Sequence, residues 1–465
     1  LLAESALQGN LESLVESRLS GWFDAEERQR LRTLTRRLVD LRATLPVLGN
    51  VVFVHGTMSA DLATEGIDGA TNLIWMNLPR LSQGQFSRLK LSPDGTEEAD
   101  PTFPVRVLGT NLAAYAIPLL WLQARWNTLP YAYDWRKDLD LAADGLAEFI
   151  EAHFPDEPVH LVSHSMGGVV CRNFIHRHPV LWQRMRDPAR VRGGRLIQMG
   201  TPNYGTFVVT QVLTGQSEIV WALDQTDLGH NSDELAEIAS TFVANYQFMP
   251  KIGRPGGADP ELYGPVPWGS LPVSMVHMAR AKQFHQDLDA DPTTSDPERI
   301  SYIAAYGVRT ASGVTVKAPG QLEHRFNYRG DGVTSLDLGP LDGVPTWYIF
   351  TNHFELIAHP RVLPALDELL LTGQTLLLAR RPLPTWIAQT AVSRAVQLAA
   401  RWFLGRELQD TARHAASGVR DMEVQRGERV LLETVMGERR VLRRLWQLEV
   451  GRLSSFLTPR REIEL

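Results

Sequence analysis

A serine hydroxyl stands between a short apolar run and a glycine-rich helix start at Leu161-Val162-Ser163-His164-Ser165-Met166-Gly167-Gly168. Val159 to Val162 read as a buried strand and Val169 to His178 as a helix ended by Pro179, so Ser165 falls on the sharp strand-to-helix turn that presents a nucleophile. Strained backbone of this kind tolerates only small neighbours. Ser163, Gly167 and Gly168 supply them, and the motif reads S-x-S-x-G, with Ser163 where a glycine is usual. A serine nucleophile needs a general base, an acid that orients the base, and donors for the oxyanion. Arg325 to Gly332 reads as a strand ending in Asp331 between two glycines, which makes Asp331 the candidate acid. Trp347 to Phe350 reads as a strand followed by His353, the candidate base. Backbone N–H groups of Met166, directly after the nucleophile, and of Thr57, in the loop after the first strand, are the candidate oxyanion donors. Taken singly, an Asp or His after a strand is more often a solvated loop residue than a catalytic one. Asp337 lacks the paired glycines, His359 falls in the helix after the base loop, His164 points away along its strand, and His55 shapes the loop before Thr57.

The order Ser165, Asp331, His353 along the chain is that of an α/β-hydrolase and differs from both chymotrypsin-like and subtilisin-like proteases. Strands expected at Val51 to Val54, Pro130 to Tyr133, Val159 to Val162, Arg195 to Met199, Ser301 to Tyr306 and Trp347 to Phe350 alternate with helices. That pattern implies a mainly parallel sheet covered on both faces, with its ligand crevice at the carboxyl ends of the strands. The expected organisation is an N-terminal helical segment over 1–47, a catalytic domain over 48–372, and a C-terminal extension over 373–465. In the first, Leu31, Leu34, Leu38 and Leu41 line one face of a helix that starts near Asp24 and stops before Pro46. Within the second, a long insertion at about 204–299 is far longer than an ordinary crossover and should cap the site with apolar residues on its inner side, an inert insertion being the plainer alternative. The extension carries no Lys and about sixteen Arg against about ten acidic residues. A helix over Trp386 to Leu408 and a hairpin over Val424 to Leu448 would suit docking to the rest of the protein or to a protein partner, or contact with an anionic membrane surface.

Composition narrows the function classes. With 465 residues, 44% apolar and 22% charged, the chain is an ordinary folded protein. A net charge of −6 speaks against nucleic-acid binding by phosphate neutralisation. One cysteine, Cys171, allows no internal disulfide and reads as a packed thiol. No apolar run reaches the roughly 18 residues of a membrane span and no leader precedes the fold, so the chain reads as soluble; a cytoplasmic setting is compatible, and localisation stays open. Asp287, Asp289, Asp291 and Glu298 have calcium-loop spacing, but Pro292 stands where Gly is required. Neither metal nor cofactor is expected.

Several short stretches together resemble the lecithin:cholesterol acyltransferase family of α/β-hydrolases: Val54-His55-Gly56-Thr57, Ile74-Trp75, Tyr133-Asp134-Trp135-Arg136, His164 to Gly168, Gly200-Thr201-Pro202-Asn203-Tyr204-Gly205-Thr206, Gly330-Asp331-Gly332 and His353. The resemblance covers roughly residues 48 to 372. It implies an acyl-enzyme on Ser165, a triad completed by Asp331 and His353, and an oxyanion hole at Thr57 and Met166. Trp75, Trp135 and Tyr204 are then candidate substrate-binding residues, and Asp134 with Arg136 a structural ion pair beneath them. Two departures stand out. The family's acid loop runs Gly-Asp-Gly-Thr-Val, whereas here Val333 precedes Thr334, and the disulfide near the lid of its secreted members cannot form with one cysteine. The expectation is a serine esterase or lipase acting on a lipid-like carboxylic ester, with acyl transfer to an alcohol, or a silent hydrolase-fold interaction module, as the alternatives.

Overall fold

The computed structural model describes residues 25–44, 46–65, 71–186 and 193–382. The anticipated Asp24 cap, the helix over Trp386 to Leu408 and the hairpin over Val424 to Leu448 lie outside the described residues. Chain order gives α1 (Ala25–Thr44), β1 (Asn50–Val54), β2 (Ala60–Glu65), β3 (Thr71–Trp75), β4 (Val105–Thr110), α2 (Leu112–Gln123), β5 (Asn127–Tyr131), α3 (Leu139–His153), β6 (Val159–His164), α4 (Met166–Arg177) and β7 (Leu196–Met199). Five further helices follow, α5 (Val208–Leu213), α6 (Glu218–Asp224), α7 (Ser232–Ser240), α8 (Val243–Gln247) and α9 (Met275–Ala290). After them come β8 (Ile300–Tyr306), β9 (Thr310–Ala318), β10 (Gln321–Asn327), β11 (Thr346–Phe350) and α10 (Val362–Thr372), with two short helices, Leu78–Leu81 and Pro179–Arg184, left unlabelled.

Six of these strands form an all-parallel sheet in the order β11-β8-β7-β6-β1-β5. Such a sheet is buried on both faces, and β1 and β6 are accordingly buried at every position. The side-chain period of two divides the core. Val52, Val54 and Leu161 face one cluster, shared with α3 and α4, while Val51, Phe53 and Val162 face the other. Leu31, Leu34 and Leu38 of α1 bury themselves in that second cluster beside α2 and α10, as the leucine spacing anticipates. Asp367 of α10 fastens this layer by accepting the indole N–H groups of Trp121 and Trp126 at 3.0 and 2.9 Å.

The antiparallel sheet β3-β2-β4 and strand β9 were not among the expected strands, whereas the strand expected over Arg325 to Gly332 is β10, which starts earlier, ends at Asn327 and pairs antiparallel with β9. The fifth strand also begins earlier than anticipated, at Asn127, where it pairs in register with Asn50. Between β7 and β8 the insertion folds as α5 to α9 with short 3₁₀ turns. Beyond α10 the chain still packs on the sheet, with Ala379 bridging Tyr348 and the Trp347 indole donating to the Thr375 carbonyl. Among the described residues, no helix is long and apolar enough to cross a membrane.

Candidate active site

Ser165 sits between the last residue of β6 and the first of α4 with φ 53° and ψ −126°, in left-handed territory that a non-glycine residue rarely adopts. Close packing holds it there. A Cβ on Gly167 would stand 2.3 Å from the Val54 carbonyl oxygen, and a Cβ on Gly168 would stand 2.0 Å from Thr201 Oγ1. The Ser165 N–H donates to the Met199 carbonyl at 2.9 Å, which ties the turn to the end of β7. Gly56 passes so near that a Cβ there would lie 2.9 Å from Ser165 Cβ. The small-residue rule read from the motif therefore has a specific steric cause at Gly167 and Gly168.

His353 follows β11 and Asp331 follows β10, and both side chains are buried. His353 Nδ1 lies 2.8 Å from Asp331 Oδ2. A carboxylate can only accept, so Nδ1 carries the proton and Nε2 is left as the basic nitrogen. The other carboxylate oxygen, Oδ1, accepts the N–H groups of Val333 at 2.9 Å and Thr334 at 2.6 Å. Those donors are backbone groups, so exchanging Val and Thr at 333 and 334 relative to the family pattern leaves the carboxylate anchored. Gly332 has φ 101°, and its N–H donates to Thr310 Oγ1; a Cβ on Gly330 would meet the same hydroxyl at 2.5 Å. The His353 N–H in turn donates to the Asp331 carbonyl at 2.9 Å.

One cavity of about 140 Å³ brings the expected residues together: Thr57, Ser165, Met166 and His353 line it, with Trp75 and Trp135 in its wall. These are the carboxyl ends of β1, β6 and β11, the crevice that a parallel sheet reserves for ligands. Asp331 stands behind His353. Trp75 and Trp135 pack edge to face at 5.7 Å and are extended by Phe86 and Phe242. Tyr204 is placed outside the lining. Its ring lies under the Arg254 guanidinium, 3.9 Å from the ring centre, and it faces the loop before β11. Asp134 and Arg136 do form an ion pair, joined by Glu98, which grips Arg136 with both oxygens at 2.8 and 2.9 Å.

The cap supplies much of the remaining wall, chiefly through aliphatic residues such as Val209, Val212, Ile219 and Leu235, together with Phe242 and Phe248. Attention to aromatic residues in the insertion misses these aliphatics; their i, i+3 and i+4 spacing on short helices is the signal that could have found them. Among the described residues, no Asp, Glu, Lys or Arg lines the cavity.

Of the rejected candidates, Asp337 pairs with Arg329 at the surface. His359 follows a 3₁₀ turn (Leu356–Ala358) and lies before α10, not inside it. His55 donates from Nδ1 to the Gly56 carbonyl at 2.7 Å and stacks on Tyr133, and burial lowers its pKa to about 4. Asp289 is paired with Lys251, and Asp291 caps a turn and meets His176, which uses two of the four carboxylates of the calcium-like spacing. Among the described residues, no group of three or more potential ligands could hold a metal ion.

None of the curated proteins matches this sequence. Similar solved structures include a chain of the Tle4–Tli4 complex, 13% identical with TM-score 0.42 over 70% of this chain and 99% of that one. They also include the mature lipase BlEst2 of Bacillus licheniformis, 14% identical with TM-score 0.36 over 70% of this chain and 93% of that one. A metagenomic carboxyl esterase, MGS0156, is 12% identical with TM-score 0.33 over 70% and 76%. Residues 124–254, which run from the end of α2 past the serine turn and into the cap, match the model of the lecithin:cholesterol acyltransferase family. The parallel sheet covered by helices on both faces is an α/β-hydrolase fold, and over residues 124–254 the chain is similar to the lecithin:cholesterol acyltransferase family.

Proposed function

We propose that the protein is a serine esterase that cleaves a lipid-like carboxylic ester through an acyl-enzyme on Ser165. The observation that carries the reading is the buried His353–Asp331 hydrogen bond, whose imidazole shares one cavity with a serine in strained left-handed backbone. In this mechanism Nε2 of His353 takes the Ser165 proton as Oγ attacks the carbonyl carbon. The tetrahedral oxyanion is met by the N–H groups of Thr57 and Met166. His353 then protonates the leaving alcohol, and an incoming water, deprotonated by the same nitrogen, releases the acid.

Size and polarity of the cavity support a lipid acyl group. A space of about 140 Å³ is close to the roughly 150 Å³ of a cavity that takes up one benzene ring, so it has room for about six carbons of an acyl chain. An uncharged wall favours this chain and leaves a charged head group outside, because an unpaired buried charge is costly. Hydrolysis is the favoured outcome since water is always present and transfer requires its exclusion. Labelling with a fluorophosphonate, followed by a chain-length series of esters with and without an added alcohol, tests this reading. Wild type should be modified and Ser165→Ala should not, with turnover falling on the order of a millionfold in the variant. Equal labelling of the two proteins would remove Ser165 from its role.

A further inference from the structure

We infer that His164 is a positioning residue which, through Tyr115, locks the base loop and the oxyanion loop into one unit. The inference rests on the Ser165–His353–Asp331 reading and adds a residue that this reading leaves idle.

The proton inventory fixes the direction of each bond. His164 Nε2 lies 3.0 Å from the main-chain carbonyl oxygen of His353, an acceptor only, so Nε2 carries the ring proton. Nδ1 is then an acceptor and receives the Tyr115 hydroxyl at 2.8 Å, closer than the alternative acceptor Ser59 Oγ at 3.5 Å. The same tyrosine oxygen accepts the N–H of Gly56 at 3.0 Å. A continuous path therefore runs from the residue before Thr57, through Tyr115 and His164, to the backbone of the base. Every member is buried, so no water substitutes for a lost partner without a change of structure.

Geometry gives the path its leverage. His164 immediately precedes Ser165, and its ring lies 4.7 Å, centre to centre, from the ring of His353. Gly56 packs against the same groups: a Cβ there would stand 3.3 Å from both His164 Nδ1 and the Tyr115 hydroxyl. Three segments that are distant in sequence thus meet on one imidazole. This His164 is not simply turned away along its strand as the motif alone suggests. Its ring lines the same cavity, but both nitrogens are engaged by Tyr115 and the His353 carbonyl, so it exchanges no proton with substrate and acts by fixing where the base and the oxyanion donor stand. A displacement of about 1 Å at such a site costs roughly a hundredfold in rate.

The test compares His164→Ala, His164→Gln, Tyr115→Phe and the Tyr115→Phe/His164→Ala double variant in the full chain, with Ser165→Ala as the reference for the triad. Steady-state kinetics on a medium-chain ester and thermal midpoints are measured for each. His164→Ala should lower kcat about a hundredfold with KM within about twofold, and His164→Gln, whose amide nitrogen can still donate to the His353 carbonyl, should recover most of the loss. Tyr115→Phe should lose about tenfold, and the double variant should be no slower than His164→Ala alone, because the two act in series. If His164→Ala does not fold, His164→Phe, which keeps a ring but can neither donate nor accept, takes its place in the same comparison. Wild-type kcat in His164→Ala, losses that multiply in the double variant, or a folded His164→Gln as slow as His164→Ala would overturn the inference. Activity surviving in Ser165→Ala would instead overturn the triad on which it rests.

Discussion

Replacing Asp331 by asparagine isolates the orientation of the base from everything else the carboxylate does. Oδ1 accepts two backbone N–H groups, from Val333 and Thr334, and Oδ2 accepts Nδ1–H of His353. An asparagine has one accepting end and one donating end. The two backbone donors cannot be reversed, so the amide oxygen takes the Oδ1 position and the amide nitrogen faces His353. A donor facing Nδ1 pushes the ring proton onto Nε2, the atom that receives the proton of Ser165 in the proposed mechanism. The fold keeps both backbone contacts and the same shape, so the thermal midpoint should stay close to wild type. Catalysis should not. The equivalent change in the serine-protease template costs about 10⁴-fold in kcat, or about 5.4 kcal/mol of barrier, and the same wrong-tautomer argument gives that size of loss here. The assay is kcat for a medium-chain ester at saturation and neutral pH, alongside thermal unfolding of the same preparation. A folded Asp331→Asn enzyme within tenfold of wild type would show that Asp331 does not set the tautomer of the base.

Gly168→Ala should destabilise the protein by about 2 kcal/mol or more, since the new methyl meets three Thr201 side-chain atoms within 2.8 Å, and chemical denaturation would read this directly. Phe242→Ala should cost about 3 kcal/mol and move the preferred acyl length upward, because the ring fills the cavity wall beside Trp135 and Phe86; an unchanged chain-length profile would argue against that wall as the acyl site. Stability should fall on acidification: His55 and His285 are buried with pKa values lowered to about 4 by desolvation, so their contribution is complete above the unfolded value near 6.5 and is lost as pH drops through about 4, at about 3 kcal/mol each. Asp61, raised to about 6 by burial, works in the opposite sense over much of that window, so the clean measurement is the slope of unfolding free energy against pH in His285→Gln, which should be flatter than wild type by about 2 kcal/mol between pH 6.5 and 4.5.

The parts of the fold that sequence makes legible are those where one physical rule acts alone. Continuous β-branched runs such as Val51 to Val54 mark buried parallel strands, and the leucine stripe of α1 marks its buried face. The serine turn, Asp331 and His353 are legible because small residues and glycines at fixed offsets announce tight turns after strands. Where two rules compete, the signal fades. Pro118 lies inside α2, so a breaker obscures the helix that carries Tyr115. Strand β4 exposes Arg106 and Leu108 on the same face, which blurs the alternation of an amphipathic strand. Tyr204 follows the family-like Gly-Thr-Pro-Asn stretch, yet its ring is drawn to Arg254, a cation–π partner that is about fifty residues away and invisible to local pattern. His164 is a related case: its partners at 115 and 353 are named only by the sheet order that brings them together.

Sheet and cap divide the work of the site in a way that separates rate from selectivity. Ser165, Thr57 and His353 hang from the ends of β6, β1 and β11; β6 and β1 are buried on both faces, and the buried Asp331 contact holds His353 at the end of the edge strand β11. The wall that an acyl chain would touch comes mostly from α5 to α8, short helices whose residues meet the cavity through aliphatic contacts. A substitution at a strand end therefore changes turnover by a similar factor for every ester. One in the cap changes the ratio between esters, because it alters contacts made by the chain and not by the reacting carbonyl. The same division governs the choice of acyl acceptor. In the proposed mechanism water and an alcohol would use one base, His353, so the sheet would not tell them apart, and the closeness of the cap wall would decide whether water reaches the acyl-enzyme before an alcohol does.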